Sequence, residues 1–364
     1  MLAPMSPRAH YQQQLAGGRL APDPAQARIV EHLDALHRQL TQPLPAGGRL
    51  ARWFGKPAAR IPGLYLWGGV GRGKTWLMDL FYLALPFEQK RRLHFHRFMG
   101  QTHRELQRLK GRPNPLLQLA RELAADCRVL CLDEVQVWDI GDAMVLGGLL
   151  GALFDQGVTL VATSNSPPGE LYPDGLQRAR FLPAIAQIET HTQVLALDSP
   201  TDYRMRFLEQ AETYHAPLDE AAEQMLARTF ERLAPEPGDG ATELRINDRP
   251  IPIRGQADSI LWTDFHALCA GPRAASDYLE IARCYHTLLL AGIPRLGDGQ
   301  SDQVKRFINL IDLLYDHQVT LIASAAAAPE DLYQGQELAF EFQRTLSRLR
   351  EMQTRDWLER PHRA

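Results

Sequence analysis

Residues 68 to 75, Gly68-Gly69-Val70-Gly71-Arg72-Gly73-Lys74-Thr75, fit the pattern GxxxxGK[ST], and each fixed position has a chemical reason. Glycines let backbone N–H groups approach phosphate oxygens, and the N-terminus of a following helix adds its own N–H groups to that anion cradle. The Lys74 ammonium is placed to reach the β- and γ-phosphates as a point charge, and the Thr75 hydroxyl to ligate Mg²⁺. Asp133 and Glu134 form a second constellation. At the end of a strand, Asp133 holds the Mg²⁺ and its waters, while Glu134 polarises an attacking water. Small-molecule phosphotransfer is the weaker reading, because a kinase has no need of Glu134. Asn165, before Ser166-Pro167-Pro168, fits two readings: a turn residue, or a polar group that positions the lytic water.

These residues need a scaffold, and the surrounding pattern supplies one. Gly63 to Trp67 (GLYLW) reads as a short strand before the glycine loop, and residues 76 to 85 (WLMDLFYLAL) as a helix after it. Arg128 to Leu132 is a buried strand ending at Asp133, Val158 to Thr163 a third strand, and Thr192 to Leu197 a further one. Between the last two, a helix starting within residues 174 to 182 carries Arg178 and Arg180. Leu93 to Arg97 has strand character, followed by a helix bearing His103, Arg104, Arg108 and Lys110. His94 and His96 would share one strand face; no carboxylate or cysteine at ligand spacing accompanies them, so a structural or interaction role is favoured over a metal. Residues 24 to 40 place Ile29, Val30, Leu33, Leu36 and Leu40 at helical spacing, ahead of a Pro/Gly-rich linker.

The 364 residues, 45% hydrophobic and 23% charged, suit a soluble globular protein with two sizeable cores. No stretch approaches the roughly 18 apolar residues of a membrane span, and the N-terminus lacks the apolar core of a signal peptide, so a cytoplasmic address is expected. The four cysteines form no CxxC pair, which leaves no support for a disulfide framework or a zinc ribbon. A net charge of −3 argues against a protein built to coat nucleic acid. Locally, no acidic residue falls between Asp34 and Asp79, whereas Arg38, Arg49, Arg52, Lys56, Arg60, Arg72 and Lys74 do. That stretch is an anion-facing surface or a solvated basic one.

The second half echoes the first. Leu153-Phe154-Asp155 and Val158 to Thr163 recur at a constant offset of 161 as Leu314-Tyr315-Asp316 and Val319 to Ser324, and Glu170-Leu171-Tyr172 returns as Asp331-Leu332-Tyr333. Ala326 stands where Asn165 does, and no GK[ST] or Asp-Glu pair precedes it, so hydrolysis is expected in the first half only. Degenerate duplication and convergence both account for the echo. Residues 242 to 254 read as a hairpin turning at Asn247-Asp248; the helix at 218 to 234 reads as a remnant lid.

A P-loop, an Asp-Glu strand end, an asparagine after the next strand and arginines beyond it, in that order, resemble the AAA+ ATPase core. The chain as a whole resembles the ZapE family of bacterial cell-division ATPases and their mitochondrial relatives. The matching stretches run from His94-Phe95-His96-Arg97-Phe98-Met99, DEVQVWDIGDAM (133 to 144) and TSNSPPGELYPDGLQRARFLPAI (163 to 185) to RFINLID (306 to 312) and RTLSRLREMQ (344 to 353). The resemblance implies an α/β fold, a P-loop AAA+ core with a parallel sheet flanked by helices over 61–200, after a helix and linker over 1–60; the helical DYLEIARCYH, the strand-like TLLLAGI and a helix from Gln303 to Tyr315 read as a C-terminal α/β domain over 201–364 rather than the small all-helical lid of many AAA+ proteins. The resemblance also implies an ATP- and Mg²⁺-dependent hydrolase that remodels a protein partner, destabilising FtsZ polymers, and that works as a homo-oligomer. Asn165 would be the sensor asparagine and Arg180 the arginine finger. Pro183 stands where many AAA+ proteins have a second arginine, which leaves Arg178 as the candidate, and Arg204, Arg228 or Arg306 as a sensor-2 arginine. The alternative is a nucleotide-gated DNA-handling protein of the helicase-loader type.

Overall fold

The structure is a computed structural model and describes residues 5–18, 20–42, 60–69, 71–137, 140–173, 175–199, 212–233, 242–246, 249–257, 259–360 and 362–363. The chain divides into two compact units, Met1–Asp202 and Tyr203–Ala364.

The first unit opens with helices α1 (Pro7–Ala16) and α2 (Pro24–Thr41). Asp23 caps α2, its Oδ1 accepting from the Ala25 and Gln26 N–H groups at 2.8 and 3.3 Å, a device that stabilises a helix start by about 1 kcal/mol. The apolar stripe Ile29, Val30, Leu33, Leu36 and Leu40 is buried. Next come β1 (Gly63–Trp67), α3 (Lys74–Ala84), β2 (Lys90–His94), α4 (Phe95–Arg108), α5 (Pro115–Asp126), β3 (Val129–Asp133), α6 (Ile140–Asp155), β4 (Thr159–Ser164), α7 (Leu182–His191) and β5 (Thr192–Ala196). The strands form one sheet in the order β2-β3-β4-β1-β5, every pair parallel. A parallel sheet is covered on both faces, which is why VLCLD of β3 and TLVATS of β4 are buried at every position. Since β4 lies between β1 and β3, the ends of these three strands converge on one edge, where ligands bind in such sheets.

The expected strand from Leu93 to Arg97 is corrected. Strand β2 stops at His94, and helix α4 takes Phe95, Phe98, Met99 and Thr102 into the core at helical spacing. His94 and His96 therefore do not share a strand face, and among the described residues no group of three His, Cys, Asp or Glu side chains could hold a metal. A helix carrying both arginines is likewise corrected: Arg178–Arg180 form a 3₁₀ turn, and α7 starts only at Leu182, with Pro183 in its first turn, where a missing N–H costs no hydrogen bond.

The second unit contains β6 (Tyr214–His215), α8 (Glu220–Leu233), β7 (Glu243–Ile246), β8 (Arg249–Pro252), β9 (Gly255–Ala257), β10 (Ile260–Asp264), α9 (Ala275–Cys284), β11 (Thr287–Ile293), α10 (Ser301–Asp316), β12 (Thr320–Ala325), α11 (Ala339–Glu351) and α12 (Arg355–Leu358). Strands β7 and β8 pair as the expected antiparallel hairpin; its turn, Asn247-Asp248, lies outside the described residues. The larger sheet runs β6-β12-β11-β10-β9, parallel except for β9.

That order repeats β1-β4-β3-β2 of the first unit, and the register repeats with it. Tyr65 pairs with Ala162 and Tyr214 with Ala323; Leu132 pairs with Ala162 and Leu290 with Ala323. The Tyr65 hydroxyl donates to the Ser166 carbonyl at 3.0 Å, and the Tyr214 hydroxyl to the Ala327 carbonyl at 2.9 Å, again 161 residues on. The Glu134 N–H bonds Thr163 Oγ1 at 2.9 Å, and the Gly292 N–H bonds Ser324 Oγ at 3.0 Å. Tyr172 meets Phe181 edge-on and Tyr333 stacks on Phe342, the same two positions paired in different geometry. Hydrogen bonds, ring pairs and strand order together favour a degenerate copy over convergence. Helix α8 accordingly is not a lid remnant: it packs on β10, β11 and β12, following β6 as α3 follows β1.

Candidate functional site

The site of the first unit is built from the ends of β1, β3 and β4. The loop after β1 turns through Gly71 (φ 72°) and Gly73 (φ 85°), a region glycine enters without a Cβ penalty. A Cβ on Gly68 would lie 2.5 Å from the Leu197 carbonyl oxygen, so the backbone alone fits there. Helix α3 begins at Lys74 and directs its N-terminal N–H groups at the loop. Buried at 7% exposure, Lys74 donates from Nζ to the carbonyls of Gly68 and Gly69, each at 2.8 Å, and to Asn165 Oδ1 at 3.0 Å. The ammonium thus joins the glycine loop to the residue following β4.

Thr75 Oγ1 donates to Asp133 Oδ1 at 3.0 Å, bringing two hard oxygen donors together. Asp133 also accepts from the Thr163 hydroxyl, and Arg92 lies 3.4 Å from its Oδ2 while pairing with Asp79 of α3. An oxygen donor set beside a phosphate cradle suits Mg²⁺. Glu134 adopts φ 52° and turns its carboxylate toward His94, whose Nε2 lies 2.9 Å from Oε2. His94 Nδ1 faces the His96 N–H at 3.4 Å, so in the neutral ring the proton sits on Nε2 and is donated to Glu134. Burial works against a charged imidazole here, but the Glu134 hydrogen bond and the charges of Glu134 and Asp133 outweigh it, holding the His94 pKa above its ordinary value.

Lys74, Thr75, Asp133, Glu134 and Asn165 are therefore brought together with Gly68, Gly69, Gly71, Arg72 and Gly73; Val70 lies outside the described residues. The arginines part ways. Arg178 is held by its own loop, donating to the Tyr172 and Gly169 carbonyls at 3.0 and 2.6 Å. Arg180 is exposed, with exposed Leu176 and Leu182 on either side in sequence. Arg228 donates to Gln224 of its own helix, Arg306 has a buried, unpartnered guanidinium nitrogen, and Arg204 lies outside the described residues. Of the acid-free stretch, Arg38 pairs with Asp34 and Arg60 with Asp155, so neither is a bare anion contact; Arg49, Arg52 and Lys56 lie outside the described residues.

Sequence reasoning missed His94, Arg92 and Thr163 as site residues. The signal was register: in parallel pairing His94 falls opposite Asp133, and Leu66 opposite Thr163. Reading His94 with His96 as a histidine pair hid it.

The family model for AFG1-like ATPase matches residues 5–361. The chain belongs to the AFG1-like ATPase family. It is 44% identical over 369 residues to the cell division protein ZapE of Escherichia coli (strain K12), covering 98% of both chains. It is 37% identical over 341 residues to lactation elevated protein 1 homolog B of Danio rerio, covering 81% of this chain and 68% of that one. Among solved structures, DnaA from Aquifex aeolicus aligns with 57% of this chain and 58% of its own, at TM-score 0.36 and 14% identity, a likeness too slight to carry an argument. Membership of the AFG1-like family makes the chain an ATP hydrolase, and its nucleotide-binding P-loop fold is that of the first unit. No described helix is long and apolar enough to cross a membrane.

Proposed function

We propose that this AFG1-like ATPase is a cell-division ATPase that couples ATP hydrolysis to destabilising FtsZ polymers, and that it works as a homo-oligomer. The observation that carries the reading is the 44% identity to E. coli ZapE across 98% of both chains.

In the proposed reaction the N–H groups of residues 68 to 75 cradle the phosphates, and Lys74 exchanges its carbonyl partners for the β- and γ-phosphate oxygens. Thr75 and Asp133 would hold Mg²⁺, which would offset phosphate charge. Glu134 takes the proton of the attacking water, positioned with the help of Asn165. His94 donates to Glu134 and holds it at the site. Arg180 acts on the γ-phosphate of a neighbouring subunit, which its exposure and its apolar neighbours Leu176 and Leu182 support.

Sedimentation of FtsZ filaments from the same organism tests the partner. ATP with the wild-type protein should reduce pelleted FtsZ, and Glu134→Gln should bind filaments without completing the cycle. An unchanged pellet, with salt-dependent DNA binding instead, would replace this reading with a helicase-loader one.

A further inference from the structure

Gln26, in the first turn of α2, is 1% exposed and touches the glycine loop from outside the motif. Its Nε2 donates to the Arg72 carbonyl at 3.0 Å. A carbonyl only accepts, so the orientation of the amide is fixed: NH₂ toward the loop, Oε1 away from it. That Oε1 is buried and accepts no hydrogen bond. A buried amide oxygen without a donor is costly, and a ligand that brings a donor removes the cost.

The amide is held beside the loop from several sides. Asp23, the cap of α2, accepts from Ser199 Oγ at 2.6 Å through Oδ2, and its carbonyl accepts from the Tyr11 hydroxyl at 3.3 Å. The Tyr11 ring lies 6.1 Å from that of Trp76, the residue after Thr75. A Cβ on Gly73 would come within 2.8 Å of Gln26 Nε2, so the amide lies against the last glycine of the cradle. A nucleotide whose phosphates occupy that cradle carries its base on the adjoining ribose.

We propose that Gln26 is the residue that selects adenine. Adenine offers a 6-amino donor next to the N7 acceptor, and a glutamine amide meets it with an acceptor and a donor in the matching order. Oε1 takes the 6-amino hydrogen, one Nε2 hydrogen goes to N7, and the other stays on the Arg72 carbonyl. Guanine sets its O6 acceptor against Oε1 and leaves both oxygens unpaired, which is how a polar site rejects the wrong partner. The inference rests on the loop being the nucleotide site.

The test is a titration of the full-length protein with ribose-labelled ATP, GTP and purine riboside triphosphate, the last lacking any group at position 6. Wild-type protein should bind the purine analogue about 3- to 10-fold more weakly than ATP, the worth of one neutral hydrogen bond. Gln26→Leu should lose both bonds with ATP and only the N7 bond with the purine analogue, so that ATP falls about 3- to 10-fold further and the two bind alike. Equal losses for both nucleotides would reduce Gln26 to a buttress of the loop and overturn the proposal. If Gln26→Leu does not fold, the wild-type series decides: no discrimination between ATP and the purine analogue overturns it. Lys74→Ala separates this from the site assignment, since that variant should lose every nucleotide, whereas retained binding would mean that the loop is not the site.

Discussion

Four strands of each sheet follow the same path; the fifth is parallel β5 beside β1 in the first unit and antiparallel β9 beside β10 in the second. Where the first unit carries Asp133 and Glu134, the second has Ala291 and Gly292, the Gly292 N–H bonding Ser324 as the Glu134 N–H bonds Thr163. The first unit passes from strand to helix through residues 68 to 73, long enough for a phosphate cradle; the second has only residues 216 to 219. There Asp219 caps α8 through the Ala222 N–H at 2.9 Å and meets His215 at 3.2 Å, filling the place of an anion site with an acid. Asn165 gives way to Ala326, and Arg180, by the shared offset, to Glu341. The sheet and its tyrosine bonds are what folding requires, and the residues that differ are the ones that the proposed reaction uses.

The sharpest way to break this contrast is Lys74→Ala, which should abolish ATP binding measured by calorimetry. Any residual stoichiometric binding would place a site in the second unit. Next, Arg180→Ala should lower turnover about 10³-fold, the scale of an arginine finger, whereas Glu341→Ala should leave it unchanged. Mixing Arg180→Ala with Lys74→Ala subunits should restore part of the activity; co-assembly without recovery would rule out action between subunits. Glu134→Gln should slow hydrolysis by about 10²-fold or more with ATP affinity retained, as expected for loss of a general base.

Smaller effects probe what the units share. Tyr65→Phe and Tyr214→Phe each remove one hydroxyl bond, worth about 1 kcal/mol. Each should lower the melting of its own unit by about 2–4 °C. Only Tyr65→Phe should also alter turnover, because its partner Ser166 follows Asn165. The smallest effect is at His215, whose bond to Glu212 raises its pKa against a weaker burial effect, with Asp219 adding to the rise. Its contribution to stability is complete below about pH 6.5 and fades as pH climbs through the raised value. Imidazole NMR should show titration above 6.5, moving down in Glu212→Gln; titration at or below 6.5 in the native chain would deny the pair.

The motif residues were legible because their chemistry fixes both type and spacing: Gly73-Lys74-Thr75 open the helix after the glycine loop, Asp133-Glu134 sit where a strand ends, and strands buried on both faces announce themselves as apolar runs. The partners that orient them were not. His94 reaches Glu134 across a strand pairing, and Gln26 reaches the loop from a helix 46 residues upstream, contacts that only tertiary structure creates. Local competition hid the rest: His94 to Arg97 alternates like a strand, yet Phe95, Phe98, Met99 and Thr102 form a deeper apolar face when wound as a helix. Arg178 and Arg180 looked helical until Pro183 set where the helix starts. The echo was legible over two short runs; its extension to strand order and register was not, because β6 and β10 share little sequence with β1 and β2.

One backbone angle carries the contrast into evolution. Glu134 holds φ 52° and its counterpart Gly292 holds φ 73°, both hydrogen-bonded to a hydroxyl of the neighbouring strand. The bend belongs to the architecture; glycine adopts it at ease, and a glutamate is strained there by about 1 kcal/mol or more. Thermostability selection blind to catalysis would therefore drive position 134 toward the glycine that its counterpart in the second unit already has, so persistence of a carboxylate at this bend would mark a copy of the fold kept for chemistry rather than for stability.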